Sequence, residues 1–88
     1  MGVKIKVTPG LWKYTNGRRM VEVDGDTVGE CLKNLVGEIP EIKGKVFDDN
    51  GKLLSLVLIG NETVGANRLD RPVTDGEVIS LLTLFGGG

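Results

Sequence analysis

Three features of the 88-residue sequence could support chemistry: a terminal run Gly86-Gly87-Gly88, a single cysteine at position 31, and the aromatic pair Trp12 and Tyr14. The glycines follow directly on an aliphatic stretch, Val78 to Phe85, so the α-carboxylate of Gly88 would sit on a thin arm. Fully stretched, that arm reaches roughly 10 Å past Phe85. A backbone without Cβ atoms can thread a narrow channel and adopt positive φ there, and its terminal carbonyl stays open to nucleophiles. The competing reading is a frayed tail without a role. Cys31 falls at helical spacing with apolar neighbours, whereas a reactive thiol needs an electropositive, accessible setting. It reads as a small core residue.

What is missing narrows the function further. The sequence contains no histidine, so Ser/His/Asp and Cys/His nucleophilic arrangements are excluded. One cysteine leaves no ligand set for a structural zinc site or an iron–sulfur cluster. Neither a phosphate-binding loop nor a dinucleotide fingerprint occurs. The chain is therefore expected not to be an enzyme by itself. A net charge of −1 and a pI near 5.3 argue against nucleic-acid and anionic-membrane partners. With no signal-peptide core, no apolar run long enough to span a bilayer, and Lys6 where a myristoylation signal needs Ser or Thr, a cytoplasmic location is expected.

The elements that would position these groups can be read from the periodicity. Val3, Ile5 and Val7 alternate with Lys4 and Lys6, which predicts a half-buried strand ended by Pro9-Gly10. Arg18 to Asp24 resumes the alternation after the turn pair Asn16-Gly17, so a hairpin with a long connection is expected. Trp12 and Tyr14 lie in that connection, either as a ligand-stacking pair or, the better reading, capping the edge of the core. Thr27-Val28-Gly29-Glu30 fits a capping box, and Val28, Cys31, Leu32, Leu35 and Val36 give one apolar helix face. Gly37 marks the expected stop, followed by Pro40. Residues 39–47 suit only a short helical turn, and Asp48-Asp49-Asn50-Gly51 is a turn. The apolar run Leu53 to Ile59 predicts a strand, Thr63-Val64 a brief pairing, and Glu77 onward a closing strand.

One helix among these strands, in under ninety residues, resembles the β-grasp arrangement: an α+β, ubiquitin-like mixed sheet of four to five strands on one central helix. The chain is similar to the ubiquitin-like sulfur carriers of the MoaD/ThiS family. The residues that carry the resemblance are Val3–Val7, Asp26-Thr27-Val28, Ile59-Gly60-Asn61-Glu62, Asp75-Gly76-Glu77 and the terminal Gly87-Gly88. Gly25 to Gly29 is also similar to the cysteine-pathway carrier CysO. Thr83-Leu84-Phe85-Gly86 stands where many members have prolines or a small residue, which leaves the pathway open.

The resemblance implies a β-grasp domain over residues 1–85 and a flexible glycine tail over 86–88. It implies that a ubiquitin-activating-type adenylating enzyme (MoeB/ThiF-like) uses ATP to activate Gly88, with Gly86 and Gly87 threading that enzyme's active site. A persulfide donor then leaves a thiocarboxylate, whose sulfur passes to an accepting synthase subunit in molybdopterin-, thiamine- or cysteine-type biosynthesis. The chain itself is expected to bind no cofactor and no metal. The alternative is a ubiquitin-like covalent modifier attached through Gly88. A third possibility is a β-grasp interaction module with an inert tail. The docking surface is expected at Leu56, Leu58, Leu82, Leu84 and Phe85, with Leu54 also outward. Val57, Ile59, Ile79 and Leu81 are expected to face the helix.

Overall fold

The computed structural model describes residues 2–82. In chain order the elements are β1 (Gly2–Val7), a 3-10 helix (Pro9–Tyr14), β2 (Met20–Asp24), α1 (Val28–Glu38), a 3-10 turn (Pro40–Ile42) and α2 (Lys43–Val46). They continue with β3 (Leu56–Ile59), β4 (Glu62–Val64), a 3-10 turn (Ala66–Arg68) and β5 (Val78–Leu82). The five strands form one mixed sheet in the order β2-β1-β5-β3-β4. β1 runs parallel to the central β5, and every other pairing is antiparallel. This is the expected β-grasp fold.

Strand alternation decides which side chains are buried. In β1, Val3, Ile5 and Val7 face the core, and their partners Val21, Val23, Ile79 and Leu81 do the same. Val57 and Ile59 of β3 pair with Leu81 and Ile79, so the inward rows run continuously across the sheet. α1 lays Val28, Cys31, Leu32 and Leu35 against these rows, all inaccessible to solvent. Residues 39–47 pack Ile39, Ile42 and Val46 into the same core, against α1 and the Pro9–Tyr14 turn.

The start of α1 differs from a simple capping box. Thr27 Oγ1 accepts from the Glu30 amide at 3.1 Å, but Glu30 Oε1 accepts from the amide of Asp26 rather than that of Thr27. The first two helical amides are taken up from outside the helix: Val28 N–H donates to Arg71 O (3.0 Å) and Gly29 N–H to Leu69 O (2.8 Å). Orphan donors at a helix start need such partners, and here a loop about forty residues away in sequence supplies them. A Cβ at Gly29 would lie 3.1 Å from that same Leu69 carbonyl.

Two boundaries fall elsewhere than the sequence suggests. Gly37 lies inside α1, and the helix ends at Ile39, whose φ of −127° and ψ of 76° leave the helical region. Pro40 is the cause, because its ring disfavours helical geometry in the residue before it. The run Leu53 to Ile59 is also divided. Leu53 forms a bridge with Phe47, the Leu54 amide donates to Val46 O at 2.7 Å, and the buried Ser55 hydroxyl donates to Lys45 O at 2.8 Å. Only Leu56–Ile59 joins the sheet. Leu54 therefore precedes the strand and does not share the outward register of Leu56 and Leu58.

The β1–β2 connection is a folded unit. Leu11 is buried, and Trp12 Nε1 donates to Val7 O at 3.1 Å. Thr15, fully buried, places its hydroxyl 2.8 Å from Arg18 O and 3.2 Å from Trp12 O. Asn16 (φ 58°) and Gly17 (φ 82°) take the left-handed conformation expected of the Asn-Gly pair. Trp12 and Tyr14 pack half-buried on the core, which is the capping reading.

Candidate functional site

Opposite the helix, the sheet has an open face made by the outward residues of each strand. Registers place Met20, Lys6, Ser80, Leu58 and Thr63 in one row across all five strands. In the row nearer the C-terminal end of β5, Leu82 sits directly opposite Leu56. Leu56, Leu58 and Leu82 are each half-buried and share this face, so they meet as neighbours across β3 and β5. The expected outward orientation of Leu56, Leu58 and Leu82 is the one observed, as is the inward placement of Val57, Ile59, Ile79 and Leu81, and Val78 and Ser80 share the outward side of β5.

Met20 and Val78 belong to the same face and did not enter the expected docking set. Among the described residues they are the two large hydrophobic side chains most open to solvent, at 44% and 36%. Alternation in Arg18–Asp24 puts Met20 outward. Only the strand order brings it beside Lys6 and within the row that contains Leu58. The face is thus apolar at its centre, over β5 and β3, with Met20 on β2 set apart from it by Lys4 and Lys6 of β1. Contiguous apolar surface of this kind on a small protein marks a contact region.

The expected reactive residues, Gly86, Gly87 and Gly88, and the flanking Leu84 and Phe85 lie outside the described residues. The strand that leads to them is described as far as Leu82, at the edge of the leucine patch. Cys31 lies at the opposite side of the sheet, inaccessible beneath α1. Burial pushes its thiol above the ordinary range, and the negative charges of Glu30, Asp26 and Asp24 push it the same way. This is the reverse of an activated thiolate. Among the described residues no helix is long and apolar enough to cross a membrane.

No family model matches the chain. Small archaeal modifier protein 1 of Haloferax volcanii is 36% identical over 70 residues, covering 77% of this chain and 78% of that protein. The chain belongs to the ubiquitin-like sulfur carrier and modifier family of the MoaD/ThiS type. Solved members of that family superpose along its whole length. The crystal structure of SAMP1 from Haloferax volcanii matches with a TM-score of 0.82 at 31% identity, covering all of both chains. The carrier fold also matches the Amycolatopsis orientalis BexX/CysO complex, with a TM-score of 0.79 at 27% identity over 98% of this chain and 99% of that one. The family is one of small ubiquitin-like carriers and modifiers, and that is the coarse function of this chain.

Proposed function

We propose that the chain is a sulfur carrier whose Gly88 carboxylate is adenylated by a ubiquitin-activating-type enzyme and converted to a thiocarboxylate. The observation that supports this most is the leucine patch at the C-terminal end of β5, beside the strand that continues into the glycine arm. A carrier without its own catalytic groups must be recognised by docking, and this face offers the apolar area to do so. In the proposed sequence the carboxylate oxygen attacks the α-phosphorus of ATP and pyrophosphate leaves. The terminal sulfur of a persulfide then attacks the acyl carbon and AMP leaves, giving an acyl disulfide. A second thiol cleaves its S–S bond, leaving the thiocarboxylate and a disulfide. ATP is consumed by the enzyme, and the sulfur passes on to an accepting synthase subunit.

The name of the 36%-identical relative, a modifier protein, favours a second reading on the same arm. In it a lysine ε-amine attacks the activated carbonyl and forms an isopeptide bond in place of the acyl disulfide. Intact-protein mass spectrometry of the chain, co-expressed with the adenylating and sulfur-donor enzymes of its organism, tests both. The carrier reading expects a free species heavier by one sulfur-for-oxygen exchange. Higher-mass conjugates without that species would replace it with the modifier reading, and an unmodified free chain alone would overturn both.

A further inference from the structure

From position 2 to position 21 the chain contains Lys4, Lys6, Lys13, Arg18 and Arg19 and not one Asp or Glu. The fold gathers part of this charge at one end. Because β1 and β5 are parallel, the β1–β2 connection lies at the end of the sheet where β5 finishes. There Arg19 stacks over the Trp12 ring (5.1 Å from Cζ to the centroid), and Lys13 and Lys45 approach the Tyr14 ring (5.2 and 5.8 Å from Nζ). Arg18 Nε donates to Thr15 O at 3.1 Å, fixing the base of its side chain. Three cations, Lys13, Arg19 and Lys45, are thus held against two half-buried aromatics by cation–π contacts, with Arg18 fixed beside them by its backbone contact.

None of the four enters an ion pair among the described residues, where the ion pairs join Arg68 and Arg71 to Glu62 and Glu77. Those lie at the far end of the sheet, with Asp26, Glu30 and Asp75 at the start of α1 and at the turn before β5. Among the described residues, the end of the sheet where Leu82 lies therefore gathers Lys13, Arg18, Arg19 and Lys45, with Glu41 on the neighbouring 3-10 turn, whereas the opposite end holds Asp26, Glu30, Glu62, Asp75 and Glu77 with Arg68 and Arg71. Such a separation orients a protein in the field of a charged partner.

We propose that the cluster Lys13, Arg18, Arg19 and Lys45 docks on an acidic protein surface bordering the opening through which the activating enzyme admits the glycine arm. The proposal rests on the adenylation reading. The leucine face supplies the contact area, and the cations steer the arm toward the opening and set the carrier's rotation about it. Carboxylates on the enzyme are the complement, since none of the four cations is held in an ion pair among the described residues.

The test measures association of the full chain with its organism's adenylating enzyme by stopped flow, across a range of salt concentrations, beside ATP–pyrophosphate exchange. Lys13→Glu/Arg18→Glu should slow association by about tenfold or more at low salt, with the difference shrinking as salt rises. Lys33→Glu, on the outer face of α1, should stay within about twofold of wild type. Exchange at saturating carrier should be retained by both, because neither substitution alters the residues of the glycine arm. Should the double glutamate variant lose its fold by circular dichroism, Lys13→Gln/Arg18→Gln gives the same comparison with a smaller expected change. Equal effects of the hairpin and Lys33 variants, or a salt-independent loss, would overturn the proposal. So would tight binding of wild type to an RNA or DNA oligonucleotide that the double variant loses while enzyme association stands. If wild-type chain supports no exchange at all, the adenylation reading itself fails, which is a different result from a variant that exchanges normally with unchanged association.

Discussion

Cys31 illustrates how a residue capable of chemistry is turned into packing. Its thiol is buried under α1, raised in pKa, and in contact with the backbone of Gly25: a Cβ built there would sit 2.7 Å from Cys31 Sγ and 2.9 Å from its amide nitrogen. Gly25→Ala should cost about 2–3 kcal/mol in urea unfolding, since helix or turn must shift to admit the methyl group. Cys31→Ala should cost at most about 1–2 kcal/mol and leave sulfur transfer intact. Loss of transfer in a folded Cys31→Ala variant would make it a sulfur relay. The raised pKa adds a pH signature. Between the unfolded and folded values the unfolded chain has lost the thiol proton and the folded chain keeps it, so stability falls as pH rises through that window. Below the unfolded value this contribution is complete. Relative to Cys31→Ala, wild type should therefore lose stability on going from neutral to alkaline pH, and parallel curves would contradict the assignment.

At the level of elements, β3 and β5 carry two surfaces on one backbone, and a one-residue slip would exchange them. Ile79 is fully buried, while Leu82, three residues on, is half-exposed beside Leu56. Leu82→Asp and Leu58→Asp should keep the far-ultraviolet circular dichroism of wild type and weaken binding to the adenylating enzyme. Ile79→Asp should unfold the chain, because it buries a charge with no partner. Folded Ile79→Asp with unfolded Leu82→Asp would invert this assignment. α1 shows a second coupling between elements. Its first amides are held by carbonyls of residues 69 and 71, so the loop before β5 completes the hydrogen bonding of the helix start.

For the molecule as a whole, stability and function are expected to lie in separate parts. The buried hydrophobic cluster runs from Val3 to Leu81 and draws inward residues from all five strands and from α1. Removing Gly87 and Gly88 should therefore leave the melting temperature nearly unchanged, as terminal glycines contribute little to packing. ATP–pyrophosphate exchange on the cognate enzyme should be abolished. Exchange that survives the truncation would show that activation does not pass through Gly88.

Local chemistry in the sequence determined the elements and their faces. Val3, Ile5, Val7, Ile79 and Leu81 announce their burial by alternation, Thr27 announces the helix start, and Asn16-Gly17 the left-handed turn, because each signal depends on a few adjacent residues. What needed the tertiary structure depends on which distant segments become neighbours. The apolar run from Leu53 read as one strand, yet Leu53, Leu54 and Ser55 bond back to residues 45–47, a choice that hydrophobicity does not encode. Met20 joins the leucine face only because β2 lies beside β1, and β1 beside β5. The cluster of cations exists for the same reason: the parallel pairing of β1 with β5 brings Lys13, Arg18 and Arg19 to the end of the sheet where Leu82 lies.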